Sequence, residues 1–475
     1  MAQILPDAAS EALDFNNIKR RAIASRSYRV KLAPSNGSTF TPTTNSVINL
    51  DLPSNLAGTY VDFTQCYLKF KVTYADAATC WLDKGGAYTF FQRMQCVTSG
   101  QQIYDLNNYN VLVTALLDTD SDSVYKSNIG NVLSGLNGGN SRGERVNTGT
   151  RTYCLPFILH PFAMQKRLVP LFSLDSIRFR LTLESQANAL FATGADPTYS
   201  ISDVELCCYF TELSPSAQSQ IDAMTGGVYN ILAPSYMNVQ TTMAAQSTAV
   251  TATLGVAVSS LERILVIHRV ATSAKANQTI GARITNSVRS IQFFINSEAY
   301  PMRPIEFTND GYGSEMLAEM LISDHALSDF TKAASIQNGY AYSLLPISGG
   351  NVSVVVNTND VLYNQLAVGF LPGATNVSNP AWQNVSGAGT NSGTANGAVS
   401  TVGSFVAAIE LESGVSAGKS DRIYSGISTM SSVVQYKGTY AGGDNTVACT
   451  IDFFCHYTIL LTLNMRAMGV WTVSV

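Results

Sequence analysis

Residues 200–213, SISDVELCCYFTEL, and residues 446–462, TVACTIDFFCHYTILLT, are the longest strand-like runs in the 475-residue chain, and each closes one half of it. Runs dominated by β-branched and aromatic residues suit a pleated, half-buried surface. Ahead of the first lie residues 27–32, 46–52, 65–74, 94–98, 102–106, 152–159 and 176–183, all of the same character. Several alternate with period two, as Tyr67, Lys69 and Lys71 do against Leu68, Phe70 and Val72. That tally fits one sandwich. Ahead of the second lie residues 228–232, 237–242, 249–256, 260–270, 278–284, 287–294, 340–345, 353–356, 365–371, 405–411 and 432–440. The chain is all-β twice over.

Between the halves the strand pattern stops. Residues 214–224, SPSAQSQIDAM, form a capped connector helix, with Ser214 before Pro215 at a first helical position and Gly226 and Gly227 closing it. The halves also repeat an order of events, which constrains the fold more than any one motif. Ser99-Gly100 leads through Tyr104 to a helix at 107–117, and Asn296-Ser297 leads through Tyr300 to a helix at 314–322. A strand with an internal proline follows, at residues 153–156 and 342–346, and then a Leu-Glu-Ser ending, at 183–185 and 411–413. The Gly-, Ser- and Asn-rich residues 118–150 read as a surface excursion. This divides the chain into an N-terminal arm (1–26), a first domain (27–213), a linker helix (214–227) and a second domain (228–475).

Charged residues are 13% of the chain, against about 25% in ordinary soluble domains. Neutral Ser, Thr, Asn, Gly and Gln cover the surface instead, which suits sandwich loops and protein contacts. A net charge of −4 lacks the footprint of a dedicated nucleic-acid binder. No window is long and apolar enough for a bilayer, and the opening MAQILPDAASEALDF lacks the basic start and apolar run of a signal peptide. Eight cysteines without a C-x-x-C read as reduced, mostly buried thiols. Residues 18–31 are acid-free and carry Lys19, Arg20, Arg21, Arg26, Arg29 and Lys31. They read either as an anchor on an internal membrane, a genome or a neighbouring subunit, or as a solvated terminus.

Signals for chemistry are weak. His160, His268, His325 and His456 sit in no metal-ligand spacing and read as loop or core imidazoles. Gly414-Val415-Ser416-Ala417-Gly418 matches G-x-S-x-G, but a nucleophile elbow needs a strand before it and a helix after it, and residues 421–430 show no helical period. Glu184, Glu205, Glu212, Glu410 and Glu412 could supply a glycosidase pair, giving a carbohydrate-active or carbohydrate-binding sandwich as the alternative reading. Trp81, Trp382 and Trp471 make a thin platform for a sugar. Sequons stand at Asn36, Asn277, Asn351, Asn376 and Asn384, the last two in the Gly- and Ser-rich loop 372–401, which reads as solvent-facing.

Residues 152–183, TYCLPFILHPFAMQKRLVPLFSLDSIRFRLTL, followed by 199–213, YSISDVELCCYFTEL, resemble the end of the first jelly roll in double jelly-roll major capsid proteins of icosahedral DNA viruses, including polinton-like viruses and virophages. The likeness continues through residues 280–304, IGARITNSVRSIQFFINSEAYPMRP, through 424–429, and into the closing FFCHYTILLTLNMRAMGVWTV, covering about residue 27 onward. The resemblance implies two eight-stranded antiparallel jelly rolls in tandem with short helices in the loops. It implies a structural, non-enzymatic subunit that needs no cofactor and forms pseudo-hexagonal homotrimers tiling a virus shell. Its partners would be itself, penton and minor capsid proteins. Lys19, Arg20, Arg21 and Arg26 would make inner-face contacts to membrane or genome, although the arm itself matches nothing in the family.

Overall fold

Eight principal strands run through the first half: β1 (Ser25–Leu32), β2 (Val47–Asp51), β3 (Tyr67–Ala75), β4 (Phe91–Val97), β5 (Gln102–Asn107), β6 (Gly149–Pro156), β7 (Arg178–Leu183) and β8 (Thr198–Leu213). Hydrogen bonding orders them β6-β3-β8-β1 in one sheet and β2-β7-β4-β5 in the other, with short strands such as Thr59–Val61 added to the first. Eight more follow: β9 (Val228–Met243), β10 (Ala249–Leu254), β11 (Leu261–Val270), β12 (Val288–Ile295), β13 (Glu298–Glu306), β14 (Ala407–Glu410), β15 (Val434–Tyr440) and β16 (Cys449–Asn464). Their sheets run β14-β11-β16-β9 and β10-β15-β12-β13. Adding eight to every label of the first pair of sheets gives the second pair, so the chain is one jelly roll built twice. The computed structural model describes residues 25–75, 80–98, 101–137, 144–192, 197–271, 280, 281, 283, 288–307, 314–324, 405–412, 426–440, 448–465 and 469–475.

Alternation fixes which face each strand buries. Along β3, Leu68, Phe70, Val72 and Tyr74 point inward and are buried, while Tyr67, Lys69, Lys71 and Thr73 are only half-buried. Phe70 meets Phe91 of β4 edge to face, with ring centroids 5.3 Å apart. A one-residue slip of β3 would put Lys69 and Lys71 into this core, which is why the register is strongly specified.

Two strands defy the usual sequence signals. Pro234 and Ser235 suggest a break inside 228–242, yet β9 is continuous and pairs along its whole length with β16. Pro301 and Pro304 hide β13 altogether. Both strands lie at sheet edges, where a missing N–H interrupts no ladder on the open side. The Leu-Glu-Ser correspondence is a coincidence: Leu183 ends β7, but Leu411 follows β14, and the counterpart of β7 is β15. The residues expected as strands at 340–345, 353–356 and 365–371, the loop 372–401 and the motif 414–418 lie outside the described residues.

Three helices connect the sheets: α1 (Tyr109–Asp120), α2 (Pro215–Thr225) and α3 (Ser314–Ser323). The linker α2 begins as its sequence signals, with the Ser214 hydroxyl accepting from the Ala217 N–H and Gly226 ending it at φ 64°. α1 starts later than the expected residue 107 because Asn107 still belongs to β5, and Asn108 turns the chain in the left-handed region at φ 52°. Residues 118–150, expected as a surface excursion, are exposed at many of their described positions but also turn back on the first roll, with 138–143 outside the described residues. Short helices at Ser123–Ser127 and Ile129–Ser134 fold back so that Lys126, Ser134 and Leu136 are buried. Gly86 permits this approach: its φ is +61° and a Cβ there would lie 2.4 Å from the Ser134 carbonyl oxygen.

Candidate functional site

α1 carries the first roll onto the second. Its N-cap, Asn108, donates through Nδ2 to Asp452 Oδ1 at 2.9 Å and to Asn238 Oδ1 at 3.2 Å, reaching across from β5 to β16 and β9. Asp452 is fully buried, and Gln240 Nε2 (3.1 Å), Asn238 Nδ2 (3.3 Å) and Arg269 Nε (2.6 Å) complete its shell. A carboxylate so deep in protein persists only when paired and hydrogen-bonded. Further along α1, Ala115, Leu116 and Thr119 lie against Arg263 and Leu265 of β11 and Met320 of α3.

A second buried cluster closes the other end of α1. Asp118 takes Lys84 Nζ at 2.6 Å and Lys126 Nζ at 3.0 Å, together with the guanidinium of Arg283 from the second half. Burial alone would raise the Asp118 pKa, but the three cations hold it well below the usual carboxylate range. Beside it Asp83 is 1% exposed, with the Lys84 N–H 2.6 Å from Oδ1. Gly281 of the second half comes so close that a Cβ there would meet Asp83 Oδ1 at 2.4 Å. Burial pushes the Asp83 carboxyl up to about 7 in spite of the backbone N–H groups of Lys84, Gly281 and Ile280.

The sign of the Asp83 effect follows from linkage. Its folded pKa lies above the ordinary unfolded value, so the folded state holds more protons between pH about 4 and about 7, and stability falls as pH rises through that window. Asp83→Asn is expected to abolish a decline on the order of 4 kcal/mol. Urea midpoints of both proteins from pH 4 to 7.5 check this, and parallel pH profiles would refute it.

Aromatic and backbone contacts extend the seam. Phe162 packs on Trp471 at 5.9 Å and Phe172 on Tyr229 at 5.1 Å, while the Val473 N–H donates to Gln101 Oε1 at 3.0 Å. At one end of the seam a cleft of about 480 Å³ opens between Ala57, Gly58, Phe172, Gln218, Asp222 and Met465. No ladder joins strands of the two rolls among the described residues, so side chains and loops alone hold the rolls together.

The residues singled out for chemistry take structural positions. His160 is caged by Phe63, Phe157, Phe162 and Phe179, accepts the Phe162 N–H through Nδ1 at 3.2 Å, and is driven to about 3 by burial. His268 bonds Tyr440 Oη at 2.9 Å and is likewise driven to about 3, and His456 Nδ1 meets Glu262 at 2.9 Å. His325 lies outside the described residues. Among the acids, Glu184 accepts from Asn110 and Asn188 inside the first roll, Glu205 pairs with Lys31 and Lys69, and Glu212 pairs with Arg26. Burial lifts Glu410 to about 7, and Glu410 accepts the Glu412 N–H at 2.9 Å. Trp81 lies under Arg145 and Trp471 is fully buried. None of the eight cysteines forms a disulfide among the described residues, and seven are buried.

Of the basic arm, Lys19, Arg20 and Arg21 lie outside the described residues. Arg26 belongs to β1, which begins at Ser25, inside the stretch assigned to the arm; its guanidinium meets Glu212 at 2.8 Å. Neither seam cluster was singled out from sequence. A lone Asp118 after an apolar helix and an Asp452 among aromatics were the only local hints.

No family model and no curated protein matches the chain. Solved structures do. A chain of the PBCV-1 virus capsid is 11% identical with a TM-score of 0.54, covering 96% of this chain and 99% of that one. The mavirus major capsid protein is 10% identical with a TM-score of 0.52, covering 100% and 96%. The Faustovirus major capsid protein is 9% identical with a TM-score of 0.51, covering 94% and 92%. These likenesses run through both rolls, and so the chain has the double jelly-roll fold of viral major capsid proteins.

Proposed function

We propose that the protein is a major capsid protein, a structural subunit without catalysis whose homotrimers tile an icosahedral virus shell. One observation carries the reading: the same sheet order occurs twice in one chain, with the rolls locked side by side by buried clusters. Two similar units joined head to tail in this way make a two-roll building block. Three such chains give six similar flanks, an outline that packs laterally without gaps. The low charge content fits wide, shallow lateral contacts, where burying charge is costly.

The reading places the protein in the virion, with penton and minor capsid proteins as further partners. The acid-free arm with Lys19, Arg20 and Arg21 would face an internal membrane or the genome. Among the described residues no helix is long and apolar enough to cross a membrane. The test is the solution mass by light scattering, with negative-stain imaging of the same peak. A hexagonal particle of about 153 kDa, three times the 50.9 kDa chain, is expected. A stable monomer would sink the proposal and return attention to the carbohydrate-binding alternative.

A further inference from the structure

The two rolls use corresponding sheets differently. In the second roll the centre of the outer face of β14-β11-β16-β9 is dry: Leu265 and Ile267 of β11 and Asp452 and Phe454 of β16 are all buried, and Asn108 with α1 of the first roll lies across it. Among the described residues the first roll's corresponding sheet, β6-β3-β8-β1, has no such cover. Where β11 carries Leu265 and Ile267, β3 carries Lys69 and Lys71, half-exposed on the outer face. The registers place Arg29 and Lys31 of β1 on the same face as Tyr209 and Cys207, with Glu205 between Lys31 (3.0 Å) and Lys69 (2.9 Å). Asp203 lies 3.7 Å from Lys71. Among the described residues four cations there meet two carboxylates, leaving an excess of positive charge.

The opposite sign occurs on the second roll. The elements of the first roll that meet its neighbour are β5 and the helix α1 after it. Their counterparts are β13 and α3, and these carry Glu298, Glu306, Glu315 and Glu319 against Arg303 alone. Glu298, Glu306 and Glu315 are exposed. Burial and the neighbouring Glu315 raise the Glu319 pKa, a sign of unneutralised negative charge on this edge.

Resting on the capsid reading, we infer that the basic outer face of β6-β3-β8-β1 docks the acidic β13-α3 edge of a second copy of this chain. The contact repeats between chains the head-to-tail contact that joins the rolls within one. Head-to-tail contacts close into rings when the rotation allows. The difference in chemistry has a physical reason. The intrachain face is never bare once the chain folds and can be apolar, whereas the interchain face stays in water until partners meet and must be charged to remain soluble.

Charge reversal tests this on the full-length chain. Arg29→Glu with Lys71→Glu leaves the Lys31–Glu205–Lys69 pairing intact, and Glu298→Lys with Glu306→Lys changes only exposed positions. Each pair is expected to weaken self-association at least about 100-fold in low salt, and all four together to restore it, because every ring contact regains opposite charges. Thermal melting confirms that each variant is folded. If a reversed chain melts early, Arg29→Gln with Lys71→Gln replaces it, with weaker association and a shallower salt dependence as the readout. Wild-type trimers whose mass is indifferent to all these changes, or a fourfold variant as impaired as either pair, would overturn the inference while leaving the capsid reading intact. A monomeric wild type would overturn both.

Discussion

Asp118→Ala is expected to lower the unfolding free energy by about 3–5 kcal/mol, because it strips the shared counter-charge from three cations in a dry seam. Lys84, Lys126 and Arg283 are 9%, 6% and 0% exposed at the side chain, so water cannot replace the carboxylate without opening the structure. Two of these cations belong to the first half and the third to the second, so the substitution strikes the junction between the rolls as well as the first core. Asp118→Asn keeps the shape but not the charge and should recover little of the loss. The pH dependence provides a control. The folded pKa of Asp118 is depressed, so its contribution is complete above the ordinary carboxylate value and is lost only as pH falls well below it. Above pH 5 the cost of Asp118→Ala should shrink as pH rises toward 8, because burial already drives Lys84 down to about 8 and the loss of its counter-charge lets it shed its proton sooner. Urea unfolding at several pH values measures both quantities, and a loss under about 1 kcal/mol would show that the cluster adds nothing to stability.

Asp452→Ala is the second large effect, again about 3–5 kcal/mol. Here the carboxylate gathers an Arg269 guanidinium and three amide donors, and the variant turns those donors toward a methyl group. Buried donors that lose an acceptor cost more than the hydrogen bond itself contributed. Because Asn108 reaches Asp452 from the other roll, a double-mutant cycle with Asn108→Ala isolates the inter-roll share. A coupling energy of about 0.5–3 kcal/mol is expected from contacting residues in one network. Additivity of the two substitutions would mean that the seam is held by its apolar contacts alone.

The eight strands expected in the first half match β1 to β8, because their runs are rich in β-branched and aromatic residues and several alternate, as Leu68, Phe70 and Val72 do. The helices at α1, α2 and α3 were equally legible, each through a capping residue or an apolar stripe. Legibility failed where tertiary context overrides local chemistry. Prolines are permitted in β9 and β13 only because those strands end their sheets, and nothing local tells an edge from a centre. The seam clusters were hidden for a related reason. Asp118 and Arg283 lie far apart in the chain, and their pairing exists only once two rolls are stacked. The basic character of residues 18–31 was visible, but it did not reveal that Arg29 and Lys31 already belong to a sheet, opposite Tyr209 and Cys207.

The pairing of β9 with β16 has a consequence for how the protein is made. Val228 lies opposite Asn464 and Met243 opposite Cys449, so the innermost partners in sequence are already more than 200 residues apart. On a ribosome the first roll has all of its strands once Leu213 has emerged, and it can close while synthesis continues. The second roll must wait, with β9 unpaired along this ladder, until almost the last residue is added. Such non-local closure is slow and leaves a long apolar edge bare in the interval. The already folded first roll, with Asn108 and α1 in place, offers that edge a surface to rest on before its true partner arrives.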